Sequence, residues 1–262
     1  MSKTENTLRA NLDRGHGNLI GYFPLGFPNL DSSVEACIEM CKNGIDVLEL
    51  GIPYSDPVMD GIEIQEATEM ALKNGFKLSQ TFDALKRITS AVETPVLVMS
   101  YWNPVMQFGV EKFAESLKDA GGAGLITPDL IPDEASEWLE VSDRLELDRV
   151  FLATPSSSTA RVGNASDLSR GFTYAVSTMG ITGERAQLDQ LARTVVQKIR
   201  ESDETRLAAV GIGISTADQV AEVNTYADAA IVGSAFVRAY SSGGLSALKD
   251  KVRELSQNRK IS

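Results

Sequence analysis

Short apolar runs rich in Val, Ile and Leu recur along the chain. They are NLIGYF from Asn18, DVLELG from Asp46, PVLVMSY from Pro95, AGLITPD from Ala123, RVFLATP from Arg149, FTYAVS from Phe172, LAAVGIG from Leu207 and AAIVGSA from Ala229. Near-continuous apolar strands are what a parallel sheet covered on its outside by helices requires. The stretches between them carry helical signals. Val34, Cys37, Ile38 and Cys41 fall on an i, i+3, i+4, i+7 stripe. Ser32 and Glu35 have capping-box spacing ahead of that helix, and Ser215 and Asp218 repeat the signature before ADQVAEV. Pro132 stands near a helix start, where its missing N–H costs nothing.

Strand and helix thus alternate eight times in 262 residues, the count and length of a (β/α)8 TIM barrel. A doubly wound sheet is the alternative. No linker, low-complexity tract or close repeat divides the chain, so residues 1–262 read as a single α/β domain with extra helices. Two crossings are long. Residues 51–94 leave room for helices over roughly 62–74 and 78–91, and residues 177–188 (STMGITGERAQL) read as a glycine-containing loop. Both follow strand C-terminal ends, where barrels keep their chemistry and long loops suggest lids or partner contacts.

Composition narrows the chemistry. The formal net charge of -11 repels phosphate backbones and anionic lipid, so nucleic-acid and membrane partners are not expected. No apolar signal-like stretch opens the chain and none reaches membrane-span length, which points to the cytoplasm. His16 is the only histidine and reads as a surface residue, so acid–base work falls to carboxylates, lysine or tyrosine. Cys37 and Cys41 read as small apolar core-facing residues, and nothing in the sequence completes a metal site with them.

The stretch LELGIPYSDPVMDG, residues 48–61, then stands out. Strand alternation puts Leu48 and Leu50 on the helix-packed face and turns Glu49 inward with Val47. Such a glutamate is either paired to a buried base or left among apolar walls. In the second case desolvation raises its pKa toward neutrality, which suits proton transfer. Lys and Arg are scarce near the other strand ends, which favours the second. Asp56 and Asp60 follow on a loop where SDP and DG also suit ordinary turns. At the seventh and eighth strand ends, GIGIST (211–216) and VGSAF (232–236) place glycines and helix N-termini where barrels hold phosphate, although glycine also simply starts helices. Tyr101 and Tyr174 are either pocket walls or core.

Through these residues the sequence resembles the tryptophan synthase alpha-subunit family almost end to end. The resemblance rests on LELGIPYSDPVMDG, LGFP, SYWNP, PDLIPDE, TMGITG, GIGIS and VGSAF at the family's spacings. It implies retro-aldol cleavage of indole-3-glycerol phosphate to indole and glyceraldehyde 3-phosphate, without a metal or organic cofactor in this chain. It implies catalytic roles for Glu49, as proton shuttle, and for Asp60, on the indole N–H. Gly183, Gly213, Gly233 and Ser234 would hold phosphate. Tyr22, Tyr101, Ile126, Tyr174 and Ile212 would contact the substrate body, and Thr182 would close over Asp60. Asp56 would touch the partner, a pyridoxal-phosphate-dependent beta subunit in an αββα heterotetramer that receives indole through a tunnel. The sequence departs from the family's commoner pattern at Met59, Ile62, Thr178 and Ile212. Two other readings compete: a phosphosugar isomerase on the same barrel, and a non-catalytic barrel that regulates a partner.

Overall fold

The computed structural model describes residues 1–176, 185–211, 213–257 and 259–261. Eight parallel strands run Asn18–Pro24, Val47–Gly51, Val96–Met99, Gly124–Ile126, a fifth in two pieces (Asp148–Val150 and Leu152–Ala153), Thr173–Val176, Ala208–Gly211 and Ala229–Val232. The eighth pairs with the first, and the two pieces of the fifth pair with the fourth and the sixth respectively. The sheet therefore closes into a barrel, as the alternating pattern predicts. The fifth strand breaks at Phe151, a fully buried ring whose backbone N–H bonds the Ser169 hydroxyl instead of a neighbouring strand.

The two faces of the strands explain the two cores. Ile20, Val47, Leu97, Ile126, Val150, Ala209, Ala229 and Ile231 fill the barrel interior. Leu19, Phe23, Leu48, Leu50, Val98 and Leu125, on the alternate positions, pack against the helical ring. Cys37 and Cys41 belong to that outer layer, and burial pushes the Cys41 thiol up to about 12, as expected of inert core thiols. His16 is exposed.

The long crossing after the second strand holds helices Ile62–Lys73 and Gln80–Thr89, close to the predicted spans. The third strand is also followed by two helices, Trp102–Phe108 and Val110–Asp119. Two capping expectations need correction. The helix Leu30–Asn43 is capped by Asn29, whose side chain takes the Ser32 N–H at 2.9 Å, so Ser32 already lies inside the first turn. The later helix, Ala217–Val223, is capped by Thr216 in a capping box with Gln219, one residue beyond the Ser215 signal. One helix is not foreseen at all. Lys3–Leu12 covers the bottom of the barrel and inserts Leu8 into its interior. Its signal is Ser2 followed by Glu5, since the Ser2 hydroxyl accepts the Glu5 N–H.

The bottom of the barrel is also tied by Asp46. Its carboxylate accepts the Leu19 N–H at 2.8 Å and the Asn11 amide at 2.9 Å, and it pairs with Arg259 of the C-terminal tail. Removing one partner from a half-buried network leaves the rest unsatisfied. Asp46→Ala is therefore expected to lower unfolding stability by about 2–3 kcal/mol while sparing the site at the other end. Urea unfolding with an unchanged midpoint would contradict that.

Candidate active site

A cavity of about 180 Å³ opens at the C-terminal ends of the strands. It is reached by the inward position of nearly every contributing strand: Tyr22 from the first, Glu49 from the second, Met99 from the third, Tyr174 from the sixth, Gly211 from the seventh and Ile231 from the eighth. Loops add Met59, Asp60, Gly61, Gly213, Ile214, Gly233 and Ser234, and helix Ile62–Lys73 adds Ile64.

Two inward glycines make this arrangement possible. A Cβ on Gly51 would sit 2.2 Å from the Tyr22 hydroxyl, and one on Gly211 would sit 2.6 Å from that of Tyr174. Both rings therefore lean over neighbouring strand ends where side chains would otherwise stand. Gly51→Ala is expected to displace the Tyr22 ring and cost about 1–3 kcal/mol of stability. Wild-type stability in that variant, read by urea unfolding, would show that the close approach has no consequence.

Glu49 is 1 % exposed, and its Oε1 has no hydrogen-bond partner among the described residues. It forms no ion pair there either, so no base among the described residues neutralises it. Desolvation alone raises its pKa to about 8. The Asp60 carboxyl is raised to about 6, also by desolvation. Its backbone is held by the Gln65 side chain, which donates to the Asp60 carbonyl at 2.8 Å. Burial, then the nearby carboxylates, push both tyrosines far above their ordinary range: Asp60 leads for Tyr22 and Glu49 for Tyr174. Both phenols are thus neutral donors at all working pH. The cavity holds two carboxyl groups whose environments separate their pKa values, the arrangement from which distinct acid and base roles arise.

The opposite wall is built for an anion. Helix Ser234–Leu255, which is broken by a kink at Gly243 and Gly244, begins directly at the cavity, with Gly233 as its N-cap and no side-chain cap bond. An uncapped helix N-terminus offers backbone N–H groups and a partial positive charge. Gly213, at φ +65°, turns the neighbouring loop, and no atom of the described residues lies within 4 Å of where its Cβ would be. These are the features that bind phosphate in barrels.

Of the residues singled out from sequence, the cavity gathers Tyr22, Glu49, Asp60, Tyr174, Gly213, Gly233 and Ser234. Tyr101 stands behind the wall: its hydroxyl accepts the Met59 N–H at 2.9 Å and its ring stacks on Tyr54 at 5.1 Å. Ile126 is fully buried deeper in the barrel. Asp56 is exposed, in a turn where it accepts the Ser55 hydroxyl at 2.7 Å. Thr178, Thr182, Gly183 and Ile212 lie outside the described residues. Sequence reasoning missed Met99, Ile64, Ile214 and Ile231 as apolar wall. Inward parity near a strand end could have found Met99 and Ile231.

The model of one protein family, described as tryptophan synthase alpha chain, matches residues 8–261. Among curated relatives, the tryptophan synthase alpha chain of Leifsonia xyli is 56% identical over 257 residues, covering 98% of each chain. That of Mycobacterium avium is 47% identical, over 93% of this chain and 89% of the relative. Among solved structures, a chain of Mycobacterium tuberculosis tryptophan synthase superposes with a TM-score of 0.93 at 42% identity, covering 100% of this chain and 99% of that one. A chain from the Pyrococcus furiosus tryptophan synthase a2b2 complex superposes with a TM-score of 0.83 at 33% identity, covering 92% and 98%.

Proposed function

The chain belongs to the tryptophan synthase alpha chain family, and from that premise we propose how its residues carry out the reaction. The reaction is cleavage of indole-3-glycerol phosphate to indole and glyceraldehyde 3-phosphate. A retro-aldol cleavage must protonate the ring carbon that leaves and deprotonate the hydroxyl that becomes an aldehyde.

Glu49 is suited to both steps. With a pKa of about 8 it carries a proton at neutral pH. It gives this proton to the indole ring carbon bearing the glycerol chain, and the ring becomes a cationic indolium. The resulting carboxylate removes the proton from the adjacent glycerol hydroxyl. The carbon–carbon bond breaks, its electron pair restores the aromatic ring, and the hydroxyl carbon becomes the aldehyde of glyceraldehyde 3-phosphate. One proton leaves Glu49 and one returns. Asp60, raised only to about 6, is ionised at neutral pH and accepts the indole N–H, where it stabilises the positive charge that builds on the ring. Tyr22 and Tyr174 flank the ring, and Met99, Ile64 and Ile231 exclude water from it. Gly213, Gly233 and Ser234 take the phosphate. Thr182, Gly183 and Ile212 keep their assignment as substrate contacts on the resemblance alone. Ile126 supports the cavity from below, and Tyr101 holds the Asp60 loop through Met59.

The partner is the tryptophan synthase beta subunit, as in the a2b2 complex of the Pyrococcus furiosus relative. We place pyridoxal phosphate there, because joining indole to serine is that subunit's step. Asp56 fits a contact to the partner: it lies on an exposed stretch with Val58 and Ile62, 72% and 68% accessible, flanking in sequence the cavity residues Met59, Asp60 and Gly61. We place the complex in the cytoplasm; no described helix is long and apolar enough to cross a membrane.

The observation that carries the mechanism is the unpartnered, buried Glu49 facing Asp60 across one cavity. Its test is indole release from indole-3-glycerol phosphate by the chain alone and with beta subunit added. Release is expected from the chain alone, rising at least tenfold with the partner. No release even from the assembled complex would overturn the assignment.

A further inference from the structure

A second cavity, of about 510 Å³, lies on the flank of the barrel, outside the active-site cavity. Its volume falls within the range of small-molecule sites. Three elements wall it: the turn Phe27–Pro28 after the first strand, helix Ile62–Lys73 and helix Ser234–Leu255. The lining is of two kinds. Phe27, Pro28, Ala67, Met70 and Tyr240 are apolar, and Glu63, Glu66 and Arg238 are charged.

The walls are preset rather than loosely apposed. Phe23, Phe27 and Tyr240 form an aromatic cluster, with Phe27 and Tyr240 edge to face at 6.0 Å. The Asn74 amide donates to the Pro28 carbonyl at 2.8 Å and fixes the turn to one helix. Arg238 bonds Glu63 at 2.6 Å and fixes the two helices to each other. Glu63, Glu66, Ala67 and Met70 follow i, i+3, i+4, i+7 spacing and so share one helix face. Met70 is 45% exposed at the cavity, where a flexible thioether can adapt to an aromatic guest. The Glu66 side chain has neither ion pair nor hydrogen bond among the described residues. Arg238 has donors to spare beyond the Glu63 bond, since a guanidinium carries five.

An apolar floor with one free carboxylate and one guanidinium matches an aromatic body carrying both an ammonium and a carboxylate. The geometry points to a binding site for an aromatic α-amino acid zwitterion, with the ammonium on Glu66, the carboxylate on Arg238 and the ring over Phe27, Met70 and Tyr240. The product of the enzyme to which this chain belongs, L-tryptophan, is such a molecule. The choice of this amino acid rests on the family reaction; the site itself does not. The position gives binding a consequence. Helix Ile62–Lys73 starts two residues after Asp60, and helix Ser234–Leu255 starts at the candidate phosphate cradle. A ligand bridging these helices biases both ends of the active site, and linkage requires active-site ligands to alter its affinity in return.

The experiment is isothermal titration of the full-length alpha chain, without beta subunit, with L-tryptophan up to about 10 mM, the weak end of specific small-molecule binding. Saturable binding is expected. It should weaken at least tenfold in Ser241→Trp, which fills the mouth, and at least fivefold in Glu66→Gln and in Arg238→Gln. N-acetyl-L-tryptophanamide, which lacks both charges, should bind at least tenfold more weakly. Asp60→Asn should change the affinity less than twofold; this separates the flank site from L-tryptophan entering the active-site cavity. Circular dichroism checks that each variant is folded, and Glu66→Gln, at an exposed position, is the variant least exposed to that concern. The proposal is overturned by no binding at the highest concentration, by binding that the uncharged analogue matches, or by binding lost in Asp60→Asn and kept in the flank variants. Failure of indole release would instead overturn the catalytic assignment and leave this titration unchanged.

Discussion

Glu49→Gln abolishes indole release while leaving the barrel folded, and above neutral pH more stable than wild type. The amide can neither give nor take the proton that the cleavage requires twice. General acid–base steps contribute about 10²–10⁴-fold each, so the expected loss in kcat is about 10³-fold or more. The stability effect follows from the same burial. In the folded chain Glu49 titrates at about 8, against 4.5 for an ordinary glutamate. Between these values the folded state holds a proton that the unfolded state has released. Stability from this group is therefore full below about pH 4.5, declines as pH rises, and is lost beyond about 8. A tenfold change in proton affinity is worth about 1.4 kcal/mol, so the loss is on the order of 5 kcal/mol. The amide side chain of the variant does not titrate and carries no such penalty. Urea unfolding at pH 5 and pH 9 should thus show similar stabilities at the lower pH and a more stable variant at the higher. Equal pH dependence in both proteins would mean that Glu49 is solvated or partnered in solution.

Asp60→Asn is expected to lower kcat/KM by about 10²–10³-fold, the usual cost of removing one charge-stabilising group. It should also change the shape of the pH profile. The wild-type reaction needs Asp60 ionised and Glu49 protonated in the free enzyme. Its kcat/KM should therefore be bell-shaped, with an acid limb near 6 and an alkaline limb near 8. These limbs belong to the pair as a unit if the two groups interact. In the asparagine variant the acid limb disappears and the alkaline limb stays. A profile that keeps its acid limb without Asp60 would assign that ionisation to another group, the substrate phosphate foremost.

The barrel was legible because eight apolar runs carry a parallel sheet's signature, and because inward alternation is enforced by packing at every strand. Glu49 was legible for the same reason: period two places it inward with Val47, and no nearby base was available to neutralise it. What sequence hid was tertiary. The N-terminal helix is polar along most of its length, and its purpose is visible only when Leu8 enters the barrel bottom. Asn29 outcompetes Ser32 as a cap because the chain leaves the first strand through the Phe27–Pro28 turn and starts its helix early. Tyr101 has the right parity and strand end for a pocket wall, yet its hydroxyl is engaged by a backbone N–H of the neighbouring loop. No local pattern announces that bond. The role of Gly51 and Gly211 is equally remote from local sequence, since each yields space to a tyrosine from another strand.

The break at Phe151 has a consequence for how the molecule opens. The first strand is paired to the eighth over Asn18–Gly21 and to the second over Ile20–Pro24, with both sides engaged at Ile20 and Gly21, whereas each piece of the fifth is paired on one side only. At Phe151 the seam is thinner: its carbonyl still accepts the Tyr174 N–H of the sixth strand at 3.1 Å, but its own N–H goes to Ser169 and not to the fourth strand. Breathing motions of the barrel should start there. In native-state hydrogen exchange, amides of residues 151–153 should trade with solvent through small local openings, while those of Leu19 to Phe23 should wait for global unfolding.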